Sequence, residues 1–469
     1  MLFSSMTFIY LFLPILCLIH FFAKKEFYNF ILLIASIIFY AWGEPKYLAI
    51  MLFTITLNYF GALAIENSKK FKKPILILTI LLNLSFLVYF KYFNFIIDNF
   101  NSIFHLSANV INIVMPIGIS FYTFQALSYL IDVYREEVKA QKDFYKLALY
   151  ICLFPQLIAG PIVKYHDVEN QINSREVNFE KVNLGAKRFI IGLSKKMLIA
   201  NTLGAIADKI FTQDPHTFTH SIAWLGSVAY TFQIYFDFSG YSDMAIGLGL
   251  IFGFKFMENF NYPYISKSIT EFWRRWHISL STWFKQYVYI SLGGNRQGKF
   301  KTLRNLGIVF LLTGIWHGAA WNFIIWGIWN GFFVILEKQL NIKDFEQKQH
   351  SKLIYCLQHI YCIFLFIIGW VIFRADNMKY AWDYLMNMFG LLHIHTNEIA
   401  YSWQYYVDRV EIIAFIFAII FCTPIFKNIL EIKNKFLKTI INVILILLMI
   451  VSTSSIAADT YNPFIYFRF

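Results

Sequence analysis

The 469-residue chain is 58% hydrophobic and 20% aromatic, and only 15% of its residues are charged. Soluble domains average about 45–50% apolar and about 25% charged residues, so this composition excludes a water-soluble globular protein and points to a polytopic membrane protein. The formal net charge of +13 falls in short clusters between apolar runs, the pattern of cytoplasmic loops rather than of a nucleic-acid surface.

Met1–Thr7 carries no positive leader and the first apolar run carries no cleavage site, so that run reads as a retained helix. Apolar runs of spanning length follow near Phe8–Ala23, Phe27–Ala41, Tyr47–Ile65, Ile75–Phe93, Ile111–Ile131 and Leu147–Val163. Further runs lie near Phe189–Leu203, Ile222–Phe238, Leu306–Leu336, Ile354–Phe373, Ile412–Phe426 and Thr439–Ala457. Met244–Phe256 and Ile278–Ile290 are apolar but short, and read as re-entrant or interfacial. The expected fold is therefore all-α, a transmembrane helical bundle of about 11–12 spans plus re-entrant segments. Residues 1–469 form a single membrane domain in this reading, with no soluble domain and no internal repeat.

The basic clusters at Lys24/Lys25, Lys69–Lys73, Arg135–Lys146, Arg274–Arg304 and Lys427–Lys438 are expected on the cytoplasmic side. Met1–Thr7 and the tail Asp459–Phe469 then lie outside. Lys164–Lys196 mixes bases with acids and fits neither side. Lys338–Lys352 is the most polar stretch and reads as a cytoplasmic connection. The five cysteines lie in apolar stretches without a CxxC pair, as packing residues rather than a disulfide or zinc framework.

Several tracts carry chemistry. Pro116-Ile117-Gly118 and Ala159-Gly160-Pro161 break their helices, which marks cavity-lining or re-entrant backbone. Tyr235–Asp243 places Asp237 and Asp243 at the end of an apolar run, where they read as structural anchors with nearby arginines as candidate partners. In Glu271–Ser281, His277 meets two arginines, two tryptophans and two serines. From Arg274 to Arg304 the chain is basic around Gly293-Gly294-Asn295, which suits phosphate binding as well as an ordinary positive-inside loop. Thr313–Asn322 sets His317 between Trp316 and Trp321 in an apolar run, with Gly314 and Gly318 beside it. An ionisable side chain at that depth is either a general base or a hydrogen-bonding link between helices. The two glycines admit another backbone or a slim ligand. No further Cys, His or carboxylate stands at ligand spacing from either histidine, so no metal is expected.

Met115-Pro116-Ile117-Gly118-Ile119-Ser120-Phe121-Tyr122-Thr123-Phe124-Gln125 resembles the membrane-bound O-acyltransferase superfamily. So do Phe154–Pro161, Tyr235–Asp243, Trp273–Ser281 and Gly314–Gly318. Within it the chain is similar to the alginate and peptidoglycan O-acetyltransferase membrane subunits, from its first residues to Phe469. The resemblance implies a funnel-shaped helical fold with a tunnel, His317 as catalytic histidine and His277 as a second one. It implies acetyl-coenzyme A as cytoplasmic donor, with Arg274, Arg275, Arg296, Trp316 and Asn322 expected at its site. The tail Asn462–Phe469 reads either as an interfacial anchor or, by its likeness to a tyrosine-bearing motif of bacterial acyl-transfer systems, as presenting Tyr466 as a transient acyl carrier. A phenol, with a pKa near 10, leaves more readily than a sugar hydroxyl.

The expected activity is O-acetylation of a cell-envelope polysaccharide from the bacterial cytoplasmic membrane, completed by an extracytoplasmic esterase-like acetyltransferase. Membrane lipids are the other expected partners, and nucleic acid is not one. Richness in Phe, Ile, Lys and Asn suggests an AT-rich genome, which favours peptidoglycan over alginate or another exopolysaccharide. A lipid acyltransferase and a small-solute carrier are the alternatives from other classes. Carriers often show paired repeats with broken helices in corresponding positions, and this sequence shows no such pairing.

Overall fold

The computed structural model describes residues 1–107, 111, 113–342, 351–394, 401–432, 434–458, 462 and 465, and their regular structure is all helical. The first half contains α1 (Leu13–Phe22), α2 (Tyr28–Gly43), α3 (Leu48–Asn67), α4 (Lys72–Leu87), α5 (Phe93–Phe104) and α6 (Ile119–Tyr134). It continues through α7 (Phe144–Cys152), α8 (Phe154–Leu157), α9 (Tyr165–Asn173), α10 (Phe179–Ser194), α11 (Asn201–Phe211) and α12 (His220–Ile251). Then come α13 (Ile269–Arg275), α14 (Ile278–Trp283), α15 (Lys299–His317), α16 (Trp321–Gln339) and α17 (Lys352–Arg374). The last are α18 (Met378–Met388), α19 (Arg409–Phe421) and α20 (Lys435–Ala458). Among the described residues six helical stretches have the length and apolarity to cross a membrane: Lys25–Gly43, Pro45–Asn67, Lys72–Phe104, Phe179–Phe211, Lys352–Arg374 and Lys435–Ala458. Ile444, Leu447 and Ile450 of α20 are about half exposed, as lipid-facing side chains are. The chain is an all-α polytopic membrane protein.

The described residues fall into two compact units. The first comprises Met1–Ile190 and Tyr241–Met257. Its centre is a nest of rings, in which Phe3 stacks on Tyr241 at 4.7 Å and packs against Phe8 and Phe39 at 5.0 and 5.6 Å. Among the described residues of the run Ile111–Ile131, helix begins at Ile119. Leu147–Val163 is likewise broken, after Cys152 and again after Leu157. These breaks meet: a Cβ on Gly118, whose φ is +77°, would lie 2.7 Å from the Leu157 carbonyl oxygen. Only glycine fits that approach, which accounts for Pro116-Ile117-Gly118. Gly185 of α10 and Gly247 of α12 touch in the same manner, each Cβ position lying within 2.6 Å of the other's carbonyl oxygen.

Met244–Phe256 is not a separate re-entrant piece, because α12 runs unbroken for 32 residues to Ile251. The polar residues that suggested a break there are paired. Asp243 takes Arg188 at 2.9 Å, an arginine distant in sequence rather than a nearby one, and Asp237 takes Lys196 at 2.7 Å.

The second unit comprises Ile191–Gly240 and Glu258–Phe469. Leu306–Leu336 is two helices here, not one span. A single helix of about 30 residues would exceed a hydrocarbon core of about 30 Å by half. The chain turns at Gly318–Ala320, and α15 packs on α16 through glycine: a Cβ on Gly327 would sit 2.5 Å from the Phe310 oxygen and 3.1 Å from Gly314 Cα. Gly314 and Gly318 thus admit the chain's own α16, since a Cβ on Gly318 would strike the Phe323 ring at 2.2 Å.

Candidate active site

His277 and His317 both belong to the second unit. His277 sits between two short helices, α13 and α14, with φ 43° and ψ 56°. A left-handed backbone at a side chain other than Gly, Asn or Asp costs about 1–2 kcal/mol and must be held from outside. Two sets of contacts hold it. Upstream, the Asn261 N–H donates to the Arg275 carbonyl and the Ile278 N–H to the Asn259 carbonyl, each at 2.9 Å. The Asn259 side chain supplies the rest: its Oδ1 lies 3.2 Å from the Ser279 N–H, 2.9 Å from Ser279 Oγ and 3.0 Å from His277 Nδ1.

This cluster fixes the imidazole tautomer. A backbone N–H can only donate, so the Asn259 atom it meets is the carbonyl oxygen, and His277 Nδ1 must carry the proton. The lone pair then rests on Nε2, which is buried and has no hydrogen-bonding partner among the described residues. The ring itself lies edge-on to Phe238 at 4.6 Å.

α13 is fixed at its other end. Ser268 caps it by accepting the Glu271 N–H at 3.0 Å, and Glu271 accepts the Lys267 N–H at 2.9 Å. Glu337 of α16, 2% exposed, accepts the Ile269 and Thr270 amides at 2.7 and 2.8 Å and the Thr270 hydroxyl at 2.6 Å. A carboxylate at a helix N-terminus satisfies orphan amides and complements the dipole. The same helix is tied again where Trp273 Nε1 donates to Asn330 Oδ1 at 3.2 Å.

His317 is the last residue of α15 and is buried. Its ring meets Trp316, Trp326 and Phe373 at 5.0, 5.1 and 5.2 Å, each steeply inclined. Trp316 also faces His277 at 6.2 Å, so one indole lies against both imidazoles. Trp276 meets Trp370 at 4.9 Å, and Trp370 meets Trp326 at 6.0 Å, closing an aromatic wall between the two histidines' surroundings. Among the described residues no three His, Cys, Asp or Glu side chains converge as a metal site would need.

The remaining expected site residues divide. Arg274 and Arg296 are exposed, the latter in a turn where Gly293, Gly294 and Gly298 all have positive φ. Arg275 instead pairs with Glu271 at 2.7 Å and donates to the Asn261 carbonyl at 3.1 Å, so it braces the His277 segment. Asn322 is buried and donates to the Ala375 carbonyl at 2.8 Å, tying α16 to the end of α17. Tyr466 lies outside the described residues. The sequence reading missed Asn259 and Glu337. It also passed over Ser268–Glu271, although Ser-x-x-Glu before an apolar run is a recognisable helix start.

The family model for the membrane-bound O-acyltransferase family matches residues 34–375. The chain belongs to this family. It is 40% identical to a probable alginate O-acetylase of Pseudomonas putida, with both chains covered in full. It is 37% identical to a peptidoglycan O-acetyltransferase of Helicobacter pylori over 91% of this chain and 87% of that one. A teichoic acid D-alanyltransferase of Bacillus subtilis is 32% identical over 47% of this chain and 58% of its own length. The chain is accordingly an acyltransferase of the bacterial inner membrane, crossing it several times.

Proposed function

We propose that this enzyme takes acetyl from cytoplasmic acetyl-coenzyme A and passes it across the membrane for O-acetylation of a cell-envelope polysaccharide. The observation that carries the proposal is the pair of buried imidazoles against one indole, His277 with its lone pair directed by Asn259 and His317 at a helix end in an aromatic cage. Coenzyme A is too polar to enter lipid, so its phosphates stay at a basic face, for which the exposed Arg274 and Arg296 are suited. An acceptor hydroxyl oxygen attacks the thioester carbonyl and the carbon–sulfur bond breaks. The hydroxyl proton passes to His317 and then to the departing sulfur, leaving coenzyme A as its thiol. His277 assists from the other side of Trp316. Tyr466 is the acceptor, and its acetyl ester is handed to an extracytoplasmic esterase-like acetyltransferase that serves the polymer.

The polymer we assign is peptidoglycan, supported by the likeness to the H. pylori peptidoglycan O-acetyltransferase and by the richness in Phe, Ile, Lys and Asn. Alginate is the second reading, favoured by the full-length likeness to the P. putida alginate O-acetylase. Purified protein in liposomes with labelled acetyl-coenzyme A tests the activity: labelled acetyl should appear on the tail, and His317→Ala should lower the rate by about 10²–10⁴. Acetyl transferred to added lipid with an unmodified tail would mark a lipid acyltransferase, and no thioester cleavage would return the solute carrier. Mass spectrometry of muramic acid from cells lacking the gene decides the polymer.

A further inference from the structure

A buried ion pair in the second unit has no part in the steps above. Lys196 stands in the membrane-length stretch Phe179–Phe211, within a π-helical turn at Lys195–Ala200, and Asp237 stands on α12. Their side chains are 3% and 2% exposed, with Nζ 2.7 Å from Oδ1. Such a pair usually contributes less stability than apolar residues of the same volume, because both ions are desolvated. What apolar residues cannot offer is an acceptor. The second oxygen of Asp237, Oδ2, accepts the main-chain N–H of Ile465 at 2.7 Å. The two oxygens are thus shared between the lysine and the C-terminal tail. The tail has a second polar contact nearby, from Asn201 Nδ2 to Asn462 Oδ1 at 3.4 Å. Ile465 itself is 8% exposed and joins the apolar core of this unit. The ring of Phe238, the residue after Asp237, packs on His277 at 4.6 Å. One turn of α12 therefore meets the tail with one residue and His277 with the next.

We propose that Asp237, held by Lys196, is a positioning residue that docks the C-terminal tail, through Ile465, on the turn of α12 that also packs on His277. The proposal rests on the reading that the tail receives acetyl. Neutralising the pair keeps the burial balanced: Asp237→Leu with Lys196→Met removes the acceptor without stranding a charge, while Asp237→Asn with Lys196→Met keeps a carbonyl oxygen for Ile465. The purified full chain in liposomes is given carboxypeptidase, and separately labelled acetyl-coenzyme A. Losing one hydrogen bond to a carboxylate corresponds to roughly a 10–150-fold change. In the Leu/Met variant, tail trimming should quicken and turnover should fall by at least about tenfold. Coenzyme A affinity should stay at its wild-type value, and the Asn/Met variant should recover both properties. A Leu/Met tail as resistant as wild type overturns the anchor, as does an Asn/Met variant no better than Leu/Met. A freed tail with normal turnover overturns the positioning role. In that case Tyr466→Phe separates the two ideas: if it blocks transfer the carrier stands without the anchor, and if it is silent the carrier falls as well.

Discussion

Replacing Glu337 by alanine tests whether the His277 loop is held by polar tethers rather than by apolar packing. α13 has seven residues. A helix that short has almost no stability of its own. Its first amides, from Ile269 and Thr270, have the Glu337 carboxylate as acceptor at 2.7 and 2.8 Å, and Tyr361 also donates to that carboxylate at 3.2 Å. Alanine leaves one buried and one part-buried amide without it, at about 1–3 kcal/mol for the buried one and less for the other. The helix start should then loosen, and His277, two residues beyond its end, should lose its register. We expect turnover to fall by at least about tenfold, the equivalent of 1.4 kcal/mol, with coenzyme A affinity little changed and a lower unfolding midpoint. Glu337→Gln retains one carbonyl oxygen but turns its amide toward the other donor, so it should fall between. The assays are labelled acetyl transfer, coenzyme A titration and thermal unfolding in detergent. Wild-type turnover together with a wild-type midpoint in Glu337→Ala would refute the tether. Loss of coenzyme A affinity at an unchanged midpoint would refute it too, by placing Glu337 at the ligand.

Asn259→Leu should free His277 Nδ1 from its acceptor and slow transfer nearly as much as His277→Ala; a Leu variant with wild-type turnover across the pH range would show that the tautomer does not matter. Arg274→Ala and Arg296→Ala should each weaken coenzyme A binding by about 1.5–3 kcal/mol, the loss of one charge-assisted contact, read by titration. Arg275→Ala should chiefly lower the unfolding midpoint, because its partners are Glu271 and the Asn261 carbonyl; the reverse pattern among the three would exchange their roles. Tyr466→Phe removes one oxygen and should abolish tail acetylation and acetyl export while sparing coenzyme A affinity, and normal polymer acetylation in that variant would end the carrier reading.

The class of the fold was legible because apolar composition and run length are what a bilayer selects for. Where the runs break was less so. Pro116-Ile117-Gly118 announced itself through residues with restricted or permissive backbone, and the break is there. The turn at Gly318–Ala320, between α15 and α16, did not, since Leu306–Leu336 stays apolar on both sides of it, and only its excess length over a bilayer hinted at two helices. The opposite error arose at Ser239–Asp243. Polar residues suggested an end to the helix, yet α12 continues because Asp237 and Asp243 are paired with Lys196 and Arg188 from α10 and the turn that follows it.

The site divides along the same line. His317 stood out because imidazole in an apolar run is unusual, and His277 because two arginines, two tryptophans and two serines stand around it. Asn259 and Glu337 were not, because an asparagine in a polar link and a glutamate at the end of an apolar run are what every membrane protein carries. Their roles come only from what folds against them: Asn259 from the return of the chain at His277, and Glu337 from the α15–α16 hairpin that brings α16 to the start of α13. Arg275 is the instructive intermediate. Its charge placed it with Arg274 and Arg296, yet Glu271 four residues earlier already offered the i, i+4 partner that the folded chain uses. A charge with a local partner in helical register is already half committed, and a basic cluster should be divided by that rule before any member is assigned to a phosphate. By the same rule Arg296 has no acid three or four residues away in sequence, and Arg274, whose nearest acid Glu271 is already paired with Arg275, stays exposed, so these two remain the pair on which the coenzyme A reading depends.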